Sequence, residues 1–264
     1  MDIGKPVFFL YPETEQHRGL ITFMVRNEFE VYTIQNAYRF VPYLKQCKQC
    51  ILIIDPHFGL TLKKWGDFIA ENLLPLIEGE SSIIFFTVKE LFSVLKEPFP
   101  EKWIYRSGEK TGEQKIFFID QEQEPGIISD HLRNILENQQ ARGQRRYVRF
   151  GSVGEADASF QFTIDGRTFS GTVHDISSVG MSCAFEKETA LKVNERISDL
   201  ELRLGDRTFN LKGEVFQQRK LDERKRLFVV MFDRNMSETV RHTLQDFIHS
   251  SLQLELDWKL NQQS

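Results

Sequence analysis

The hydrophobic period of this chain changes once, near Gln140, and few folds tolerate that change. From Val7 to about Gln140, short β-branched or aromatic runs alternate with longer stretches at helical spacing, the βαβ rhythm of a parallel sheet. The strands are expected at Val7 to Tyr11, Glu30 to Ile34, Ile51 to Asp55, Ile83 to Val88 and Lys115 to Asp120. The third and fourth are apolar at consecutive positions, as strands covered on both faces should be. Between them, Leu20, Ile21, Met24 and Val25 share one helical face, as do Trp65, Phe68, Ile69 and Leu73, and Ile128, Leu132, Ile135 and Leu136. Pro98 and Pro100 leave the stretch from Leu91 to Tyr105 open.

Beyond Gln140 the period is two. Phe160, Phe162 and Ile164 alternate with polar residues up to the tight-turn pair Asp165-Gly166, and Phe169, Gly171 and Val173 continue on a return strand. Leu200, Leu202 and Leu204 run into Gly205-Asp206, with Phe209, Leu211 and Val215 beyond, and Leu227 to Phe232 supplies a late strand. Five or six antiparallel strands suit a small barrel. A closing helix is expected from an N-cap at Ser237, with Val240, Leu244, Phe247, Ile248 and Leu252 facing the barrel. At 264 residues the chain has room for about two domains of ordinary size. The boundaries read as an α/β domain over 1–140, a barrel domain over 141–255 and a tail over 256–264.

Charge narrows the function. The net charge is -4, so a general nucleic-acid binder or a peripheral membrane protein working through bulk positive field is not expected, and any anion site must be local. No apolar run approaches the roughly 20 residues that cross a bilayer, so no membrane insertion is expected. The N-terminal residues lack the basic region of a secretion signal, and three cysteines are too few for a disulfide framework, which together predict a cytoplasmic protein. Residues 1–140 hold 15 basic and 20 acidic side chains, and the remainder 19 and 18. Within the second half, Arg142, Arg145, Arg146 and Arg149 fall in eight residues that contain no acid.

Guanidinium groups match phosphate and the O6/N7 edge of guanine bidentately, which lysine cannot do. Downstream, Asp175 to Gly180 reads DISSVG and is expected to be a turn between a strand ending at His174 and one starting at Met181. A carboxylate there can accept from guanine N1–H and N2–H, Ser177 can add a hydroxyl bond, and Gly180 allows close backbone approach or a positive φ.

In these two segments the sequence resembles PilZ domains. RRYVR, Arg145 to Arg149, fits their RxxxR motif and DISSVG fits DxSxxG, in the family's order and on its strand pattern. The resemblance implies a six-stranded barrel that binds the bacterial second messenger cyclic di-GMP, with Arg145 and Arg149 clamping phosphate and guanine, Arg146 and Gln144 beside them, and Asp175, Ser177 and Gly180 holding a guanine edge. A second register, Arg142 to Arg146, also fits RxxxR, but Arg145 to Arg149 leads directly into the apolar Phe150 and is preferred. The implied protein is not an enzyme and needs no cofactor. Its ligand is cyclic di-GMP, and its output in motility or biofilm regulation passes to an unidentified protein partner through a domain rearrangement, with no specific nucleic acid as partner.

Residues 1–140 resemble, by layout, a response-regulator receiver. Asp55 closes the third strand where a phosphoacceptor would stand, and Thr87 closes the fourth where receivers place a hydroxyl. Phosphoryl transfer to a carboxylate also needs a divalent metal held by further acids and a cation to neutralise developing charge. Glu13 stands alone after the first strand and no lysine ends the fifth; Lys110 and Lys115 fit poorly. Asp55 is therefore expected to be a loop or cap residue on a degenerate receiver-like scaffold. The alternative is a phosphorylation-controlled regulator acting through Asp55 with a barrel that binds no nucleotide. Cys47 and Cys50 have redox-like spacing but precede a strand, where structural thiols are expected, and the six histidines show no metal-ligand spacing.

Overall fold

The computed structural model describes residues 4–47, 49–105, 114–142, 146–151, 158–186, 191–220 and 226–262. Gln144 and Arg145 lie outside them. The chain divides into two units, Met1–Arg146 with Gln253–Ser264, and Tyr147–Leu252.

The first unit is built on five parallel strands, β1 (Val7–Leu10), β2 (Val31–Ile34), β3 (Ile51–Ile54), β4 (Ser82–Thr87) and β5 (Ile116–Asp120), in the order β2-β1-β3-β4-β5. This is a common doubly wound order, whose direction of winding reverses between β1 and β3. The helices are α1 (Glu15–Arg26), α2 (Ala37–Gln46), α3 (Leu62–Phe68), α4 (Leu74–Glu78), α5 (Phe92–Lys96) and α6 (Pro125–Asn138). Every residue of β1, β3 and β4 is buried, which is why these strands read as continuous apolar runs. Val7, Phe9, Ile51, Ile53, Ile84 and Phe86 share a core with Leu20 and Met24 of α1 and with Ile128, Leu132, Ile135 and Leu136 of α6. Phe8 packs against Phe40 of α2, with ring centroids 4.7 Å apart. The helical stripe from Trp65 to Leu73 is buried as expected, although the helix widens to a π turn over Ile69–Leu73 before α4. Around the two prolines the chain forms only α5 and short 3₁₀ turns.

The second unit contains β6 (Phe150–Gly151), β7 (Ala158–Ile164), β8 (Arg167–Ser177), β9 (Gly180–Phe185), β10 (Arg196–Leu204), β11 (Arg207–Lys220) and β12 (Arg226–Phe232). The ladder runs β8-β7-β10-β11-β12-β9, and β9 also pairs with β8, so six antiparallel strands close into a barrel with β6 added beside β8. Closure leaves the six barrel strands no free edge. The β7–β8 hairpin turns at Asp165 and Gly166, both at positive φ (50° and 73°), as a two-residue turn matched to strand twist requires. Phe160, Phe162, Leu200, Leu202, Leu204, Phe228, Val230 and Phe232 fill the interior.

The last helix, α7 (Glu238–Gln262), starts after Ser237, whose hydroxyl accepts from the Val240 N–H at 3.4 Å. Leu244 and Ile248 are buried in the barrel core, and Val240, Phe247 and Leu252 pack on it. Residues expected as a tail after 255 are helical through Gln262, and residues from Gln253 onward belong to the first unit. No Gly or Pro lies there to stop the helix, and a Glu255–Lys259 pair at 2.7 Å supports its last turns. Among the described residues, no helix is long and apolar enough to cross a membrane.

Candidate ligand-binding site

The DISSVG segment is mostly strand. Asp175, Ile176 and Ser177 finish β8, Gly180 opens β9, and only Ser178 and Val179 form the turn. Its acceptor-rich composition suggests a loop, but the barrel's closing ladder takes those residues into pairing with β9. A register shift between Val173 and Asp175 places a bulge at His174, the kind of irregularity that re-aims a side chain.

Asp175 emerges from that bulge 28% exposed. Ser182, its ladder partner on β9, donates its hydroxyl to Asp175 Oδ2. On the other side β6 pairs with β8, setting Gly151 opposite Asp175 and Phe150 opposite Ile176. That pairing brings in the residue just before β6. Arg149 Nη1 stands 3.8 Å from Asp175 Oδ1, with half of its side chain exposed. The last residue of RxxxR and the first of DxSxxG therefore meet on one rim of the barrel, and His174 Nδ1 lies 3.7 Å from Asp175 Oδ2.

Ser177 has a different place from the one its sequence suggests. It is buried, and its hydroxyl donates to the Gly180 carbonyl at 3.1 Å across the turn. Here it holds the hairpin that positions Asp175. Gly180 permits close approach: a Cβ at that position would lie 2.6 Å from the Val230 carbonyl oxygen and 3.2 Å from Met231 Sδ. Cys183, one strand position beyond Ser182, is fully buried, and burial together with the nearby Asp175 pushes its thiol far up.

Among the other arginines, Arg146 is exposed and closes the first unit. Arg142 is held within that unit: its guanidinium lies over the Phe29 ring, 4.4 Å from the centroid, and 3.5 Å from Glu137. Those contacts favour the Arg145 to Arg149 register over Arg142 to Arg146.

Residues 143–250 match the family model of the PilZ domain. This part of the chain is a PilZ domain. Among solved structures, it is similar to the PilZ domain with c-di-GMP of YcgR from Escherichia coli, at 24% identity and a TM-score of 0.38, over 45% of this chain and 98% of that one. Similarity extends to YcgR in complex with c-di-GMP from Escherichia coli (23%, TM-score 0.39, 46% and 51% of the two chains) and to the K. pneumonia MrkH-c-di-GMP complex (16%, TM-score 0.37, 46% and 56%). The chain thus spans about half the length of those last two. No curated protein matches.

The other sequence candidate, Asp55, sits just past β3 and is completely buried. Its Oδ1 accepts from the His57 backbone N–H at 2.9 Å and lies 2.8 Å from His57 Nδ1; its Oδ2 lies 3.0 Å from His17 Nε2. His17 belongs to α1, where its Nδ1 accepts from the Thr14 N–H at 3.3 Å in a capping box. With Nδ1 occupied as acceptor, the His17 proton is on Nε2 and donates to Asp55. Both carboxylate oxygens of Asp55 are therefore engaged inside the fold. Thr87 is buried too, and among the described residues its hydroxyl has no hydrogen-bond partner. Lys115 is committed elsewhere, donating to the Ile77 carbonyl at 2.6 Å near the opposite end of β5. The cation next to the end of β5 is Lys89, 3.1 Å from Asp120. Among the described residues, no group of three or more His, Cys, Asp or Glu side chains is arranged to hold a metal ion.

His17 and Ser182 were missed in the sequence. Ser182 carries a signal after the fact, since it is opposite Asp175 across a two-residue hairpin. His17 carries a weaker one, a Thr-x-x-His spacing in which histidine takes the place usual for Glu or Gln in a capping box.

Proposed function

We propose that this protein is a cyclic di-GMP receptor whose PilZ domain takes the ligand at the Arg149–Asp175 rim and passes its occupancy to a protein partner. The observation that carries this reading is the meeting of Arg149 and Asp175, which unites two motifs distant in sequence at the position where the family resemblance calls for them. The chemistry suits the ligand. A guanidinium fork can take a phosphate or the guanine O6/N7 edge, and a carboxylate can accept from guanine N1–H and N2–H.

The geometry of the free protein is compatible with ligand entry. A half-exposed pair at 3.8 Å is worth about 0–1 kcal/mol, so Arg149 leaves Asp175 at little cost and can bond more strongly to a phosphate. Ser182 keeps Asp175 oriented while Ser177 and Gly180 set the hairpin beneath it. Arg145 and Arg146 would complete the clamp from the segment leading into the barrel. Because that segment joins the two units, its engagement of the ligand is the step that would change their arrangement and expose or hide a partner face. No catalytic step or cofactor enters this reading.

Calorimetric titration of cyclic di-GMP into the wild type, Arg145→Ala and Arg149→Ala, with GTP as control at fixed salt, tests it. Saturable wild-type binding weakened in both variants is expected. Absence of wild-type binding, or full binding by both variants, would overturn the site.

A further inference from the structure

Three adjacent strands, β8, β9 and β12, pave the outer face of the barrel beside Asp175. In β9, Met181 and Cys183 belong to the core, as do Phe228, Val230 and Phe232 in β12. Alternation then turns Gly180 and Ser182 of β9, and Val229 and Met231 of β12, to the outside. The ladder sets them in two rows. Asp175 stands opposite Ser182 and Ser182 opposite Val229, while Met231 stands opposite Gly180, one side-chain step along the same face. From β8 to β12 the interval is two strand spacings, about 10 Å.

Gly180 shapes this surface. It faces outward and is nevertheless buried. The side-chain atom nearest the place of its missing Cβ is Met231 Sδ, at 3.2 Å, so the Met231 thioether lies down over the glycine. Met231 keeps 36% of its surface exposed and forms a low apolar ledge next to the rim from which the Asp175 carboxylate emerges. Single exposed apolar side chains are ordinary on protein surfaces. Register sets this one apart, because it shares a face and a neighbouring row with the acceptor of the site. Phe216 is the contrasting case: it is more exposed, at 61%, but lies on β11, one strand farther from Asp175.

We propose that Met231 is the platform on which a guanine base of cyclic di-GMP lies. The inference rests on the reading of Asp175 as the guanine acceptor. With N1–H and N2–H donated to Asp175, the ring system of the base extends across β9 towards β12, and a hydrogen bond plus a purine covers the interval to Met231. Ser182, in the middle of the row, has its hydroxyl turned to Asp175. A thioether suits the task, since it is polarizable, makes favourable contacts with aromatic rings and adapts through three torsions. Gly180 then serves the ligand through Met231: a side chain at 180 would lift the ledge into the space of the base.

The experiment labels the methyl groups of the five methionines of the full chain with carbon-13 and titrates it with cyclic di-GMP, with calorimetry on the same protein. Met231→Leu identifies the Met231 resonance by its loss. On saturation that methyl is expected to move upfield, as a group over the face of an aromatic ring does, while the methyl of Met24, buried in the first unit, holds its position. Met231→Ala is expected to weaken cyclic di-GMP binding about threefold to tenfold, the range of a sulfur–aromatic contact. Met231→Leu should weaken it less and Phe216→Ala not at all, with thermal melts confirming that each variant is folded. Wild-type binding with an unmoved Met231 methyl, or undiminished affinity in Met231→Ala, would overturn the platform and leave the receptor reading standing. No binding by the wild type would overturn both.

Discussion

Arg149 lies 3.8 Å from Asp175 because a two-residue strand, β6, pairs with the end of β8 and delivers the arginine beside the carboxylate. Each partner is then expected to matter more for ligand than for fold. Asp175→Ala and Arg149→Ala each remove one charge-assisted contact, so cyclic di-GMP affinity should fall about tenfold to a hundredfold, while thermal stability changes by less than about 1 kcal/mol for the exposed pair. Calorimetry and thermal melts measured on the same samples check both halves of this expectation.

Gly180→Ala is expected to damage the site through the barrel. The added Cβ would stand 2.6 Å from the Val230 carbonyl, a backbone atom that cannot rotate aside, so β9 and β12 must separate locally. A cost of about 1–3 kcal/mol is typical of such overpacking, and the hairpin carrying Asp175 shifts with it. Urea unfolding should register the loss, and cyclic di-GMP binding should weaken although no ligand contact has been deleted.

The barrel was legible where a pattern repeats. Alternation at Phe160, Phe162, Leu200, Leu202 and Leu204 and the turn pair Asp165-Gly166 marked strands and a hairpin that the structure contains. The site was legible as residue types and not as conformation. Asp175 to Ser177 have turn-like composition, and pairing with β9 across the two-residue hairpin and with β6 on the other side makes them strand. The same limit hid His17, because its partner Asp55 lies on another element and local sequence records only one side of such a contact.

His131 gives the first unit a pH dependence with a defined sign. Burial lowers its ionisation below the ordinary 6.5, so the folded state resists protonation more than the unfolded chain does. Its contribution is complete above 6.5 and is lost as pH falls through the depressed folded value. Urea midpoints measured on either side of 6.5 should fall on the acid side, and His131→Asn should make that decline shallower.

Asp55 supplies the last test, because its surroundings separate a receptor from a phosphorylation-controlled regulator. A phosphoacceptor needs one carboxylate oxygen free to attack phosphorus, and metal-bound acids beside it. In this fold, Oδ1 is taken by His57 and Oδ2 by His17, and the carboxylate has no exposed surface. Incubation with a small phosphodonor and magnesium is therefore expected to leave the intact mass unchanged. Asp55→Ala should still be costly, since it strands the buried His17 Nε2–H, and an unsatisfied buried donor is worth about 1–3 kcal/mol. Urea unfolding should show that loss, with cyclic di-GMP affinity retained wherever the variant is folded. A phosphoryl adduct abolished by Asp55→Ala would instead mean that the two histidines release the carboxylate, and would place control of this protein in its first unit.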